Sequence, residues 1–366
     1  MKGRRWMMVI VCVLALLTGQ CFALEWDETL QDSLPIQSVE DAAPDILAGT
    51  DASDVTDLTK GLSLLWSDVK NQVGTILHGA LRSGGTLLLI VLFCGMGEAV
   101  LSAGDCQLKQ TTRLAGAGAV ALVALSDMHT LIGLGRDTIT KLSDFVTILV
   151  PTLATAAAAS GAAVSAPVRQ SATLLFSNLL TRLISAFLLP LTYAYAAAAV
   201  ACAAMGDDRL KPLGKFLRWT VVTVLTGVML AYVGYLTLAG TAAGTADAAA
   251  VRAAQMAISG MVPVVGGILS DATETVLSGA ALLRNSIGLF GVIGVLGFCA
   301  VPFLRLGVQY LLYKFVAALS AAASDHPAAG LIQELGSVFS LVLAMTGCCA
   351  LVALLSLMAT ISAVTP

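Results

Sequence analysis

The sequence predicts an all-α membrane protein: a polytopic bundle of about six to eight apolar helical segments. Three observations carry that expectation. The 366 residues are 57% hydrophobic and 12% charged, with a mean hydropathy of +0.88, and so little polar surface cannot cover a soluble globule. The apolar residues gather in runs long enough to cross a hydrocarbon core of roughly 30 Å. Proline and glycine interrupt several of these runs, most clearly at Pro151, Pro263 and Pro302. Broken backbone of this kind is tolerated at membrane depth where it is buried in protein or lines a wet cavity.

The N-terminus reads as a secretory signal peptide over residues 1–23. Lys2, Arg4 and Arg5 precede an apolar run from Trp6 to Leu17, and Cys21 and Ala23 offer the small residues of a cleavage site. An uncleaved first span is the alternative reading. Residues 24–54 form an acidic segment expected to be flexible and extracytoplasmic: ten of the 23 acidic residues lie between Glu25 and Asp57, and no Lys or Arg does. Residues 55–82 read as an amphipathic helix, because Leu58, Leu62, Leu65, Val69, Val73, Ile76 and Ala80 fall on one face. Packing on the bundle is the default for that face, and a partner-binding role is the alternative.

The polytopic domain is expected over residues 83–366. Its candidate segments are Gly84–Ala103, Leu114–Leu134, Phe145–Val164, Ser171–Met205, Trp219–Ala243, Ser286–Leu304, Leu306–Ala323 and Ser337–Ala363. The basic loops holding Lys109 and Arg113, and Arg209, Lys211, Lys215 and Arg218, should both face the cytoplasm. Three candidate segments separate them, so one is expected not to span, and the Pro151 region is the preferred re-entrant element. Pro151 and Pro190 are spaced as Pro263 and Pro302 are, at an offset of 112 residues. An internal duplication would give that pattern, and so would chance matching in an alanine- and leucine-rich chain.

Few residues point to chemistry. The sequence has no GxxxxGK[ST], no dinucleotide-binding glycine pattern, no HExxH and no GxSxG. Its eight cysteines form no CxxC pair, and the three histidines are far apart, so neither a disulfide framework nor a metal centre is expected. No cofactor is expected, and no basic patch suited to nucleic acid is present. The ionisable groups within apolar runs are Glu98, Asp127, Arg182, Arg305 and Lys314. Arg182 is flanked by Leu179, Leu180, Leu183 and Ile184 and is a candidate partner for Asp127 or Glu98. Asp127 and His129 are two residues apart and face different sides of a helix, which argues against a shared catalytic role. Gly288, Gly291, Gly294 and Gly297 recur every third residue and are expected to allow close packing, within the chain or against a second copy.

The most distinctive stretch is MVPVVGGILSDATETVLSGAALLRNSIG, from Met261 to Gly288. It combines the Pro263–Gly266 break, a Ser-Asp-Ala-Thr-Glu-Thr run holding Asp271 and Glu274, and the Arg284–Asn285 pair, with Asp247 upstream. Together with Leu149-Val150-Pro151 and Ala159-Ser160-Gly161, this order of features resembles the stage III sporulation protein AE family. Gln255 departs from it, where a basic residue would be expected. The Ser270–Thr275 run is also expected to cap a helix start.

The resemblance implies a non-enzymatic membrane component of the stage III A complex of endospore-forming bacteria. Such a component would sit in the mother-cell membrane around the forespore and join other complex subunits and forespore-side partners in a transenvelope channel that sustains late forespore gene expression. Homo-oligomerisation would fit that place. A secondary transporter of a small solute, with the proline breaks around a midplane site, is the alternative from a different class.

Overall fold

The computed structural model describes residues 36–44, 47, 58–101, 106–162, 164–205, 208–261, 266–323 and 327–361. The signal peptide expected over residues 1–23 and the break at Pro263 lie outside these residues. The elements are α1 (Ile36–Asp41), α2 (Leu58–Leu101), α3 (Cys106–Ala159), α4 (Ser165–Leu183), a π-helical turn (Ile184–Leu188), α5 (Leu189–Met205), a short 3-10 turn (Asp208–Leu210), α6 (Lys211–Met261), α7 (Gly266–Ala323) and α8 (Pro327–Ile361). Among the described residues there is no strand. Among the described residues six stretches are long and apolar enough to cross a membrane: Leu65–Gly97, Leu114–Ala159, Ser165–Met205, Lys211–Leu238, Arg284–Ala322 and Ala328–Ile361. The chain is a multi-pass helical membrane protein.

Two of these rods are longer than the sequence reading allowed. The candidate segments Leu114–Leu134 and Phe145–Val164 are one helix, α3, and the segments on either side of Arg305 are one helix, α7. Arg136, Asp137, Thr140, Lys141, Asp144 and Thr147 separate the two halves of α3 in composition, but they fall on a single exposed stripe, so the helix continues beneath them. Pro151 does not reverse the chain either. It lies inside α3, where the Thr152 and Thr155 hydroxyls bond back to the carbonyls of Ile148 and Thr152 at 3.1 and 2.8 Å. The carbonyl that Pro151 leaves without its amide donor is that of Thr147, which neither bond reaches, and the helix nonetheless continues through the proline. The expected re-entrant element at Pro151 is therefore replaced by a continuous helix.

The actual reversal comes ten residues later. Gly161 has φ of 103°, and the amides of Ala162 and Gly161 bond the carbonyls of Ala157 and Ala158 at 3.0 and 3.2 Å. This pair of bonds around a left-handed residue closes the helix as a Schellman motif. Pro190 is accommodated differently. The chain widens into the π-helical turn just before it, and the Leu189 amide bonds the Ile184 carbonyl. The proline ring would otherwise press on the carbonyl four residues earlier, at Ala186.

With α3 intact, the orientation conflict disappears. One down pass, α3, and one up pass, α4–α5, connect the Lys109–Arg113 region to the Arg209–Arg218 region, so both basic stretches stand at the same end. At an offset of 112 residues the α3/α4–α5 and α6/α7 hairpins run in the same directions. The turn at 160–164 would fall at 272–276, however, inside α7 rather than at its start.

α7 and α8 form the centre: 61% of the most apolar window of the α7 span and 56% of that of α8 is buried, against 17% for α6. The glycine stripe explains how α7 gets so close to its neighbours. A Cβ at Gly288 would lie 2.6 Å from Ile361 of α8, one at Gly291 would lie 2.5 Å from Leu149 of α3, and one at Gly294 would lie 2.7 Å from the Phe145 ring. The stripe is thus used inside the chain. At Gly297 the neighbour is Pro44, 2.9 Å away, and Val39 and Leu47 are buried in the same apolar cluster as Leu65, Phe145 and Phe290. Part of the acidic segment is accordingly folded onto the bundle, where flexibility was expected. Of the stripe expected on the amphipathic stretch, Leu65, Ile76 and Ala80 are buried on α2, Val69 is half-buried and Val73 is exposed.

Candidate functional site: a half-buried carboxylate centre and a charged face

Asp127 is the centre of the polar chemistry in the bundle. It projects from α3 toward α2 and α7, and three neutral side chains converge on its Oδ2. The Tyr313 hydroxyl donates at 2.7 Å and the Gln309 amide at 2.8 Å. The Ser83 hydroxyl donates as well, and the Gln309 amide lies 3.4 Å from Ser83 Oγ. Gln309 and Tyr313 are one turn apart on α7 and so share a face. Tyr313 is held edge-on by Phe339 of α8, with ring centroids 4.9 Å apart, and Gly336 leaves the space that its Cβ occupies. Four helices therefore fix one carboxylate and its donors.

Arg182 is not among the partners of Asp127. It stands exposed on the outer surface of α4, beside the exposed Leu179, so the expected ion pair is not formed. A search for opposite charge misses this centre because all three partners are neutral and come from distant positions. The legible signal was Gln309 and Tyr313 at helical spacing within an apolar run.

A second polar contact joins α5 to α8, where the Tyr195 hydroxyl donates to the Glu334 carboxylate. Arg284 marks the opposite end. It is 4% exposed; its Nη1 donates to Ser160 Oγ at 3.3 Å, and its Nε has no hydrogen-bond partner. The neighbouring Asn285 is exposed, and Pro302 is buried within α7. Glu98 lies in α2, Asp247 in α6, and Gly266, Asp271 and Glu274 in α7. Because α7 begins at Gly266, the Ser270–Thr275 run is inside the helix and does not cap it. Among the described residues no group of three His, Cys, Asp or Glu side chains could hold a metal ion.

The outer surface has two unlike sides. On α4–α5 and α6 the exposed residues are mostly apolar, among them Leu175, Leu179, Phe187, Tyr193, Val222, Leu230, Val233 and Leu238, with Asn178 and Arg182 exposed between them on α4. On α3 the stripe of Arg136, Asp137, Lys141 and Asp144 is exposed. Its depth is fixed by its ends: Gly135 packs on Val342 of α8, and Phe145 packs on Gly294 of α7. On α2, Lys70, Asn71, His78 and Arg82 are exposed between the contacts of Leu65 with Gly297 and of Gly84 with Leu312, interleaved with the exposed Trp66, Val73, Leu77 and Leu81. Charges thus stand outward at the level of the apolar centre.

The model of the family described as Stage III sporulation protein AE matches residues 52–364. The chain belongs to the stage III sporulation protein AE family. Stage III sporulation protein AE of Bacillus subtilis (strain 168) is 26% identical over 260 residues, which cover 69% of this chain and 64% of that relative. The match therefore spans a little under two thirds of the relative's length. No solved structure matches. The matched region of this stage III sporulation protein AE family member includes all six apolar stretches of the described residues, the Asp127 centre and both outer faces.

Proposed function

We propose that this chain is a non-enzymatic, multi-pass subunit of the stage III A complex in the mother-cell membrane around the forespore, where it helps to build the transenvelope channel. The observation that carries this reading is the outward charged face of α2 and α3 at the depth of the apolar α7 and α8. Charges at membrane depth are costly against lipid and are found facing protein or a water-filled path. A subunit of a conduit would cover that face with other subunits or turn it to the lumen, while the apolar α4–α6 side meets lipid. Family membership supports the sporulation role.

The basic stretches at Lys109–Arg113 and Arg209–Arg218 orient their end to the cytoplasm. The start of α2, and with it the acidic segment, then stands on the opposite, extracytoplasmic side. Cleavage after Ala23 would leave that segment free at its N-terminus. The test is microscopy of a sporulating host lacking this gene, with a late forespore reporter and complementation by the intact chain. Completed engulfment with failed late forespore expression is the expected result, and normal sporulation would overturn the reading. The Asp127 centre also suits a small-solute permease, which predicts flux by the isolated chain in vesicles.

A further inference from the structure

We propose that the Asp127 centre binds a monovalent alkali cation, sodium foremost, at the junction of α2, α3 and α7. This inference does not depend on the channel-complex reading. Asp127, Ser83, Gln309 and Tyr313 all lie within membrane-spanning stretches, where an ionised carboxylate needs a compensating charge. Every hydrogen-bond partner of Asp127 among the described residues is neutral, and all three donate to the same oxygen, Oδ2. The second oxygen, Oδ1, accepts none of these bonds, and neutral donors leave the formal charge of the carboxylate uncancelled.

The donor set selects the ion. A carboxylate, two hydroxyl oxygens and an amide are hard ligands, suited to alkali or alkaline-earth cations and not to soft transition metals. One formal negative charge balances one positive charge. Calcium takes six to eight oxygens, commonly from several carboxylates, and magnesium keeps most of its water. A divalent ion here would leave a net charge within the span.

Binding requires only rotations of the side-chain groups. The Ser83 and Tyr313 hydroxyls turn their hydrogens away and present lone pairs, and the Gln309 amide turns end for end to present Oε1. The packing of Tyr313 against Phe339 and Gly336, and of Gly84 against Leu312, holds the oxygens in place around the carboxylate. Occupancy would tie three helices together, so the ion stabilises the folded chain by mass action.

The experiment is thermal unfolding of the full chain, purified in detergent, in sodium, potassium or choline chloride at matched ionic strength and fixed pH. A saturable rise of the midpoint in sodium over choline is expected. Asp127→Asn should abolish the response. Ser83→Ala and Tyr313→Phe, which keep the local shape, should each weaken the apparent sodium affinity about tenfold, the factor corresponding to about 1.4 kcal/mol. If Asp127→Asn fails to fold, those two variants decide. An equal rise in potassium supports an alkali-ion site without sodium selectivity. The proposal is overturned by identical midpoints in all three salts, by an Asp127→Asn chain with the full sodium response, by hydroxyl variants with unchanged sodium affinity, or by a midpoint that follows pH while ignoring sodium.

Discussion

Replacing two glycines of α7 by alanine should have opposite effects on stability. A Cβ at Gly291 would stand 2.5 Å from Cδ2 of Leu149 and 3.3 Å from Cδ1 of Leu357. Carbon atoms pack at about 3.5–4.0 Å, so Leu149 must retreat by roughly 1 Å. It has little room, because Leu149 is 0% exposed and Leu357 only 1%. Overpacking of this kind costs about 1–3 kcal/mol. At Gly307, on the same helix, nothing lies within 4 Å of the added carbon, and the gain in helix propensity is about 1 kcal/mol. Unfolding midpoints of the two variants in detergent, each against the parent chain, should therefore separate in sign. A neutral Gly291→Ala, or a Gly307→Ala equally harmful, would refute the account of α7 as a helix seated by its glycine stripe.

Gly161→Ala should destabilise by about 1–2 kcal/mol, since its φ of 103° lies where a side chain is strained; the same midpoint measurement checks it. Tyr195→Phe removes the bond to Glu334 and should cost about 1 kcal/mol, because the carboxylate is exposed and regains water. A double-mutant cycle with Glu334→Gln isolates that contact and should show coupling. Arg284→Met removes a buried guanidinium whose bond to Ser160 Oγ is 3.3 Å long and whose Nε has no partner. The isolated chain should keep or gain stability, while spore formation falls if the charge serves an assembly. Loss of both would mark Arg284 as structural.

The parts of the fold legible in the sequence were those written in local periodicity. The glycine stripe and the Leu65, Ile76 and Ala80 positions announced their packing faces, because helical spacing puts such residues together regardless of what lies opposite. The length of α3 was hidden for the same reason inverted: its charges between Arg136 and Asp144 looked like a boundary, yet their spacing leaves the other face of the helix apolar. Pro151 invited a break, yet α3 runs through it without one. α1 carried too few residues for a period, and only Val39 and Pro44 docking on the bundle reveal it. Asp127 was legible as an ionisable group within an apolar run, but Ser83, Gln309 and Tyr313 reach it across 44 to 186 residues of sequence. Arg182 was attractive as its partner only by charge.

The central claim, that the charged face of α2 and α3 is covered by protein in the assembled complex, is tested most directly by photo-crosslinking in sporulating cells. A photoreactive residue introduced at Asp137 or Lys141 is expected to give covalent adducts with other protein chains, whereas one at Leu230, on the exposed apolar face of α6, gives none. Adducts absent at Asp137 and Lys141, or equal to those at Leu230, would contradict the claim.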